Sequence, residues 1–243
     1  MSTEHLLENV GLILEALMGN ANGPRQEAET RLRNLTIDQP AEILLVFAQV
    51  GALGVGGFQT DHRFLTLILL KRLAFRPLPG LFLNPQAQVA TSPFDIIAER
   101  TRARIEDVLV TGLKDEINVR MRKGLGDCVA GWIQQTSARQ RPCLALPPVL
   151  LGLTTSSQPF HRFTSFQLLH AAPTLLVDSV SEPIPVKQLG HILLAGLNDP
   201  SVDVRIEAMK ALKSVLQEGI GAKERELIGP ALVLEAFKAS VDG

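Results

Sequence analysis

Three polar residues in the second half of the chain have the side chains that a hydrolytic site needs. Ser165, His170 and Asp178 lie close together in the sequence. A serine nucleophile must lie within hydrogen-bonding distance of the histidine that activates it. The apolar spacing around them is helical, and residues five positions apart do not share a helix face. The chain also lacks the Gly-x-Ser-x-Gly turn that exposes a serine in many hydrolases, so these residues do not predict an enzyme.

Other reactive residue types also lack the spacing that a catalytic or metal site requires. The glycine-rich stretch 51–57 is not followed by the Lys-Ser or Lys-Thr pair of a phosphate-binding loop, and we interpret it as a flexible link between paired helices. None of the five histidines lies three or four residues from another. Cys128 and Cys143 lack metal-ligand spacing, and we interpret them as reduced, buried thiols of an intracellular protein. We expect no enzymatic activity, no metal and no cofactor.

The charge balance argues against a nucleic-acid-binding protein. The chain has 24 basic and 25 acidic residues, whereas phosphate binding requires a basic surface. The cluster of Arg100, Arg102 and Arg104 is interleaved with acidic residues and predicts a solvated helix face.

Apolar residues make up 46% of the chain and its mean hydropathy is +0.17, yet its apolar runs are short and interrupted. We therefore expect no membrane span. The first residues carry Glu4 and Glu8 and no early Lys or Arg, which is the wrong charge for a signal peptide.

Apolar residues recur with a period close to 3.6 along nearly the whole chain, which predicts helices. Gly, Asn and Pro interrupt this pattern at intervals that define helical hairpins. No convincing period-two segment occurs, and the proline-rich stretch 77–93 is predicted to be a loop. A repeat of about 40 residues built from helix pairs is typical of HEAT arrays. We predict an all-α, right-handed α-solenoid of about five to six HEAT repeats, forming a single domain over residues 1–243, with repeats at 3–35, 38–73, 92–136, 144–176, 186–217 and an incomplete 223–241.

A recurring pair of charged residues supports the repeat assignment. Asp199 lies in a predicted turn, and Arg205 follows it at the start of a second helix; Glu116 and Arg122 repeat that spacing. An acidic residue in one turn and an arginine in the neighbouring repeat can form a partly buried polar ladder down the stack, each contact contributing about 0.5–1.5 kcal/mol. The predicted members of this inter-repeat ladder are Arg25, Arg63, Glu116, Arg122, Arg162, Asp199 and Arg205.

Several ordered segments resemble the successive repeats of one family. Residues 24–32, 62–73, 114–127 and 146–151 are similar, in that order, to the first four repeats of importin-β-type nuclear transport receptors, the karyopherins. The pattern is closest to the importin five or Kap121-like type. The family's chains are much longer, so the resemblance covers only their N-terminal arm. The tryptophan usual at the start of the fourth repeat is absent here, and Trp132 is predicted to be a core residue.

The resemblance implies a protein-binding role. In this family the N-terminal arm binds the small GTPase Ran in its GTP state, and the receptors also bind cargo and nucleoporins while moving between cytoplasm and nucleus. The alternative is a stand-alone HEAT adaptor that keeps the fold without a transport role. Whether the native transcript continues past Gly243 would help to distinguish the two.

Two surfaces are candidates for partner binding. Second helices line the concave side of such solenoids, and their polar residues here are Asp61, Lys71, Asp127, Gln134, Gln167, His170, Lys210 and Lys213. The last predicted helix, residues 223–241, is apolar around much of its circumference, including Leu234 and Phe237. We expect possible self-association through this helix, or a missing partner helix that would cover it.

Overall fold

A computed structural model of the chain describes residues 3–82, 90–176 and 185–223, together with residues 225, 226, 229, 230 and 232–234. Asp178, Phe237 and most of the predicted helix 223–241 lie outside the described residues. The described residues form eleven α-helices: α1 (Thr3–Met18), α2 (Asn22–Asp38), α3 (Pro40–Ala48), α4 (Thr60–Phe75), α5 (Pro93–Ile96), α6 (Glu99–Asp115), α7 (Val119–Ala138), α8 (Leu146–Thr154), α9 (Pro159–Ala171), α10 (Val186–Leu197) and α11 (Val202–Ser214).

Consecutive helices pack as hairpins, which confirms the predicted all-α class. The helix pairs α1–α2, α3–α4, α8–α9 and α10–α11 are in contact, and α6 meets α7 where Gly112 approaches Leu125. Short turns join the two helices of most pairs, because Gly, Asn, Ser or Pro residues end one helix and begin the next. The second helices of these five pairs are α2, α4, α7, α9 and α11.

The helices group into two compact units, Met1–Cys128 and Val129–Gly243. In the first unit, the apolar stripes of α1, α3 and α4 supply a core that includes the fully buried Leu14, Phe47 and Leu70. Phe94 of the short helix α5 is also buried and lies against Phe75, with ring centroids 4.9 Å apart. The helical spacing of these residues is what allows each helix to bury one face.

The second unit has its own core. Trp132 and Phe166 are its largest fully buried side chains, and Leu150, Leu193 and Ala208 pack from three other helices. Gly196 of α10 lies under the Phe166 ring, where an added Cβ would come within 2.2 Å of the ring. Cys143 is buried here and Cys128 in the first unit, and the two do not form a disulfide.

The proline-rich stretch predicted to be a loop is partly a strand pair. Strand β1 (Leu78–Phe82) pairs antiparallel with β2 (Ala90–Thr91), with an irregular register between Leu78 and Phe82. Pro79 is tolerated because a strand in a two-stranded pair has one edge that does not need to donate hydrogen bonds. Local periodicity could not reveal this pairing, because it depends on a partner eight or more residues away.

The glycine-rich stretch is also more ordered than predicted. Its first part continues α3 as a π-helical turn, Gln49–Leu53, and Gly51 packs against Leu67 where an added Cβ would lie 2.7 Å away. Gly54 then ends the turn with φ of 69°, a left-handed conformation that favours glycine. A similar π-helical turn, Val215–Gly219, follows α11.

Candidate functional site

The five predicted ladder arginines occupy one equivalent position in the fold. Each is the fourth residue of a second helix: Arg25 in α2, Arg63 in α4, Arg122 in α7, Arg162 in α9 and Arg205 in α11. From that position each guanidinium reaches back to a backbone carbonyl at or near the turn that precedes its helix. A cation near the C-terminal end of the first helix interacts favourably with its unpaired carbonyl groups.

Arg63 bonds both backbone carbonyls and an acid of the next helix pair. It donates to the carbonyl oxygens of Gly51 and Ala52, at 3.2 and 3.4 Å, and it forms an ion pair with Glu116. The other carboxylate oxygen of Glu116 accepts from the N–H of Asn118 at 2.8 Å. One guanidinium therefore joins the π-helical turn after α3 to the turn before α7, which belongs to the next helix pair.

Arg162 makes the equivalent contacts in the second unit. Its Nε and Nη2 donate to the two carboxylate oxygens of Asp199, at 2.5 and 3.0 Å, and its Nη1 donates to the carbonyl oxygens of Ser156 and Ser157. Asp199 Oδ1 also accepts from the N–H of Ser201 at 2.9 Å. The two side chains are 16% and 5% exposed. This bidentate pair links the fourth helix pair to the turn of the fifth.

The remaining three ladder arginines bind backbone carbonyls. Arg25 donates to Gly19, Arg122 to Ile117 and Arg205 to Asp199, at distances of 2.8 to 3.1 Å. The sequence pattern drew attention to the acid and the arginine six residues after it. In the structure the carboxylates of Glu116 and Asp199 are bonded by the arginine of the preceding helix pair, which is the kind of neighbouring-repeat contact that the ladder hypothesis describes. The arginine that bonds the acid can be recognised in the sequence, because it is the fourth residue of the second helix in the preceding pair.

Burial and ion pairing shift the pKa values of three ladder residues. Burial alone would raise the pKa of Asp199, but the hydrogen bonds from Arg162 and the Ser201 N–H, with the charges of Arg162 and Arg205, hold it below its usual value. The hydrogen bond to Asp199 raises the pKa of Arg162. Desolvation lowers the pKa of Arg122. Elsewhere, burial raises the pKa of Cys128 to about 12, so its thiol stays protonated and unreactive at neutral pH.

The predicted partner-binding residues of the first unit are exposed on second helices. Asp61, Lys71 and Asp127 all lie at the surface. Asp61 accepts from Arg120 at 2.5 Å, in an ion pair whose two side chains are more than half exposed, and the guanidinium of Arg120 lies 5.1 Å from the centre of the Phe64 ring. Such an exposed pair contributes little to stability and stays accessible to a partner.

All but one of the second unit's candidates are exposed, and several of them are bonded within the unit. Gln134, His170, Lys210 and Lys213 are exposed, whereas Gln167 is half-buried. Gln134 donates to the carbonyl of Ala171 at 2.7 Å, and His170 is hydrogen-bonded to Ser214 at 2.9 Å.

Lys210 pairs with Glu207, a buried acid on the same helix that the sequence analysis did not single out, at 2.8 Å. Glu207 lies three residues before Lys210, and this spacing, which places two side chains side by side on a helix, could have been read from the sequence.

The arrangement of these helices is similar to that of known karyopherin structures. Kap121p bound to Ste12p matches with a TM-score of 0.76 and 21% sequence identity, over 97% of this chain and 20% of that chain. Kap121p bound to RanGTP matches with a TM-score of 0.73 and 21% identity over the same shares. The karyopherin Kap121p bound to the SUMO protease Ulp1p matches with a TM-score of 0.75 and 22% identity.

The chain has a karyopherin-type HEAT-repeat fold. It spans about a fifth of the length of the karyopherins that it matches. No protein-family model and no curated protein matches it. The fold that the sequence resemblance implied is therefore confirmed by structural similarity.

Within the karyopherin-type fold, the residues considered for catalysis have structural contacts. Ser165 is buried and its hydroxyl donates to the carbonyl of Arg162 at 2.6 Å, and His170 is bonded to Ser214 rather than to Ser165. Among the residues that the structure describes, no group of three or more His, Cys, Asp or Glu side chains could hold a metal ion. No helix in the same part of the chain is long and apolar enough to cross a membrane.

The predicted solvated face of α6 needs one correction. Arg100 and Arg104 are exposed, but Arg102 is half-buried. It donates to the carbonyl of Ile97 at 2.8 Å and lies 5.4 Å from the centre of the Phe94 ring. The preceding helix α5 ends at Ile96 and brings these groups within reach, which sequence spacing on α6 alone did not reveal.

Proposed function

We propose that this chain is a non-enzymatic, protein-binding HEAT-repeat scaffold that binds Ran in its GTP state. The observation that carries the proposal is the match of 97% of the chain to Kap121p, including Kap121p bound to RanGTP. The ordered sequence segments that resemble the first four karyopherin repeats support the same assignment. Cargo proteins and nucleoporins are further partners under this proposal, with residence in both cytoplasm and nucleus.

The exposed faces of the second helices are the surface that we propose for Ran. On this proposal, Asp61, Lys71 and Asp127 act in the first unit, and Gln134, His170, Lys210 and Lys213 in the second. These residues are charged or polar and exposed, and the exposed Asp61–Arg120 ion pair is of the kind that a partner can replace. Gln167, being half-buried, is proposed to position its neighbours rather than to contact a partner.

A binding assay with Ran tests this function. We expect the full chain to capture Ran loaded with a non-hydrolysable GTP analogue and not Ran loaded with GDP. The double variant Asp61→Lys, Asp127→Lys should weaken that binding by about tenfold or more. The matched control is Asp107→Lys, Asp115→Lys, which makes the same charge change at exposed positions of α6.

The outcomes separate the two functions. Binding that does not depend on the nucleotide, or an equal loss in both double variants, would contradict the proposed surface. Failure to bind either form of Ran would favour the stand-alone HEAT adaptor, which keeps the ladder and the helix pairs but has no transport role. The α-solenoid fold itself supports either function, because repeat folds use their exposed helix faces for many different partners.

A further inference from the structure

A cavity of about 500 Å³ opens on the first unit, where α1, α2, α4 and the start of β1 meet. Its apolar lining comes from Leu17, Leu32, Leu69, Leu73 and Leu78. Leu32 and Leu78 are buried, while Leu17, Leu69 and Leu73 are partly exposed. The volume lies in the range of sites that hold one or two side chains or a small molecule.

The mouth of this cavity is basic. Arg33, Arg72 and Arg76 line it together with one acid, Glu29. Arg33 is held in place because it donates to the carbonyl of Pro79 at 3.2 Å. Among the residues that the structure describes, no carboxylate lies within 4.0 Å of Arg72 or Arg76, and both are exposed. The excess of positive charge is local, since the whole chain has a formal net charge of −1.

Leu69, Arg72 and Leu73 have the helical spacing that places residues on one face of α4. Arg76 follows directly after α4 ends at Phe75, and it lines the same cavity. An occupant that fits this face needs an apolar group for the leucine floor and carboxylates for the guanidinium rim. Arginine binds carboxylates through two parallel hydrogen bonds, which adds geometric selectivity to the charge attraction.

We propose that this cavity, which we call the α1–α2–α4 groove, binds an acidic segment of a partner protein that carries a leucine-sized apolar anchor. The anchor enters the leucine-lined floor and the flanking carboxylates pair with Arg72 and Arg76. Neither Asp61 nor Asp127 lines this groove. The groove selects an acidic ligand, whereas those two acids would attract a basic one.

The test uses the full chain and a short fluorescein-labelled peptide, in which two leucines are set among Asp and Glu residues. Two further peptides serve as probes, one with the acids replaced by Asn and Gln and one with the leucines replaced by Ser. We expect saturable binding of the first peptide by fluorescence polarisation. Arg72→Glu, Arg76→Glu should weaken it by about tenfold or more. The control Arg100→Glu, Arg104→Glu, which makes the same charge change on the exposed face of α6, should leave binding unchanged.

The peptide carrying a photo-crosslinker should attach to residues 17–33 and 69–79, as mapped by mass spectrometry. Circular dichroism melts of the variants establish that each one is folded. The absence of saturable binding to the wild type would overturn the proposal, and so would an equal loss in both charge variants. If the serine peptide binds as well as the leucine peptide, the groove is a general anion-binding surface, and the proposal is overturned.

Discussion

At the scale of single residues, the fourth position of each second helix has the clearest structural role. Its arginine binds backbone carbonyls at the turn of its own pair, and in Arg63 and Arg162 it also bonds an acid of the next pair. The arginine positions were readable from sequence because they recur about once per repeat. The sequence did not show which of the five arginines bond an acid of the next pair, because that depends on how adjacent pairs stack.

The half-buried position of Arg162 leads to a stability prediction. Arg162→Ala leaves Asp199 buried without its main partner, so the free energy of unfolding should fall by about 1–3 kcal/mol. Arg205→Ala removes one hydrogen bond to a neutral carbonyl and should cost about 1 kcal/mol. The exposed Arg104→Ala is the control and should change stability by less than about 0.5 kcal/mol. Urea unfolding monitored by circular dichroism measures all three, and equal midpoints for Arg162→Ala and Arg104→Ala would contradict the assigned role.

The depressed pKa of Asp199 predicts how this stability depends on pH. A carboxyl group whose pKa is lower in the folded state stabilises the fold above its unfolded pKa of about 3.9. That contribution is lost as the pH falls toward the folded value. The difference in free energy of unfolding between wild type and Asp199→Asn should therefore be constant from about pH 5 to pH 7 and shrink below about pH 4. A difference that grows on acidification would show that Asp199 is not held ionised by Arg162.

At the scale of elements, small residues set how closely neighbouring helices approach. Gly112 packs against Ala52 and Leu125, Gly124 against Phe64, and Gly196 against Phe166. Helical periodicity identified which residues are buried, but it gave no information on these contacts, since glycine adds nothing to an apolar stripe. The strand pair β1–β2 escaped prediction for a related reason, because it depends on pairing between segments rather than on local spacing.

Two glycines in helices should respond oppositely to the same substitution. An alanine Cβ at Gly196 would meet the Phe166 ring and the Ala208 side chain, so Gly196→Ala should destabilise the protein by about 1–3 kcal/mol. Gly152 in α8 has no atom within 4 Å of an added Cβ, so Gly152→Ala should stabilise by about 0.5–1 kcal/mol through helix propensity. Thermal melts compare the two variants, and a neutral Gly196→Ala would show that α9 and α10 have room to separate.

At the scale of the whole molecule, composition and periodicity were sufficient to predict the fold class. The chain could be assigned to helix pairs because each pair carries its own start, stop and apolar stripe. The function follows less directly from sequence, since the exposed residues of a scaffold have no fixed chemistry. The α1–α2–α4 groove illustrates this limit, because residues from three helices and a strand must be brought together before its charge pattern exists.

The described residues 232–234 lead to a prediction about solution behaviour. Leu232 is buried, while Val233 and Leu234 are exposed, Leu234 by 58%. We propose that this face associates with a second copy of the chain, so light scattering should show mass rising with concentration. Leu234→Glu, alone or with Phe237→Glu, should reduce that rise. Leu12→Glu is the matched control, because Leu12 on α1 is also 58% exposed. A wild-type monomer at all concentrations would contradict self-association.

The Arg162–Asp199 pair also determines where this chain can be divided. A truncation after α9 would remove Asp199 and leave the Arg162 guanidinium, only 16% exposed, without its counterion. The ion pair thus couples the stability of the fourth helix pair to that of the fifth, although repeat proteins are often treated as sums of single repeats. A fragment that keeps this ion pair must contain α8 to α11, and one that also keeps the core of the second unit must include Trp132 in the last part of α7.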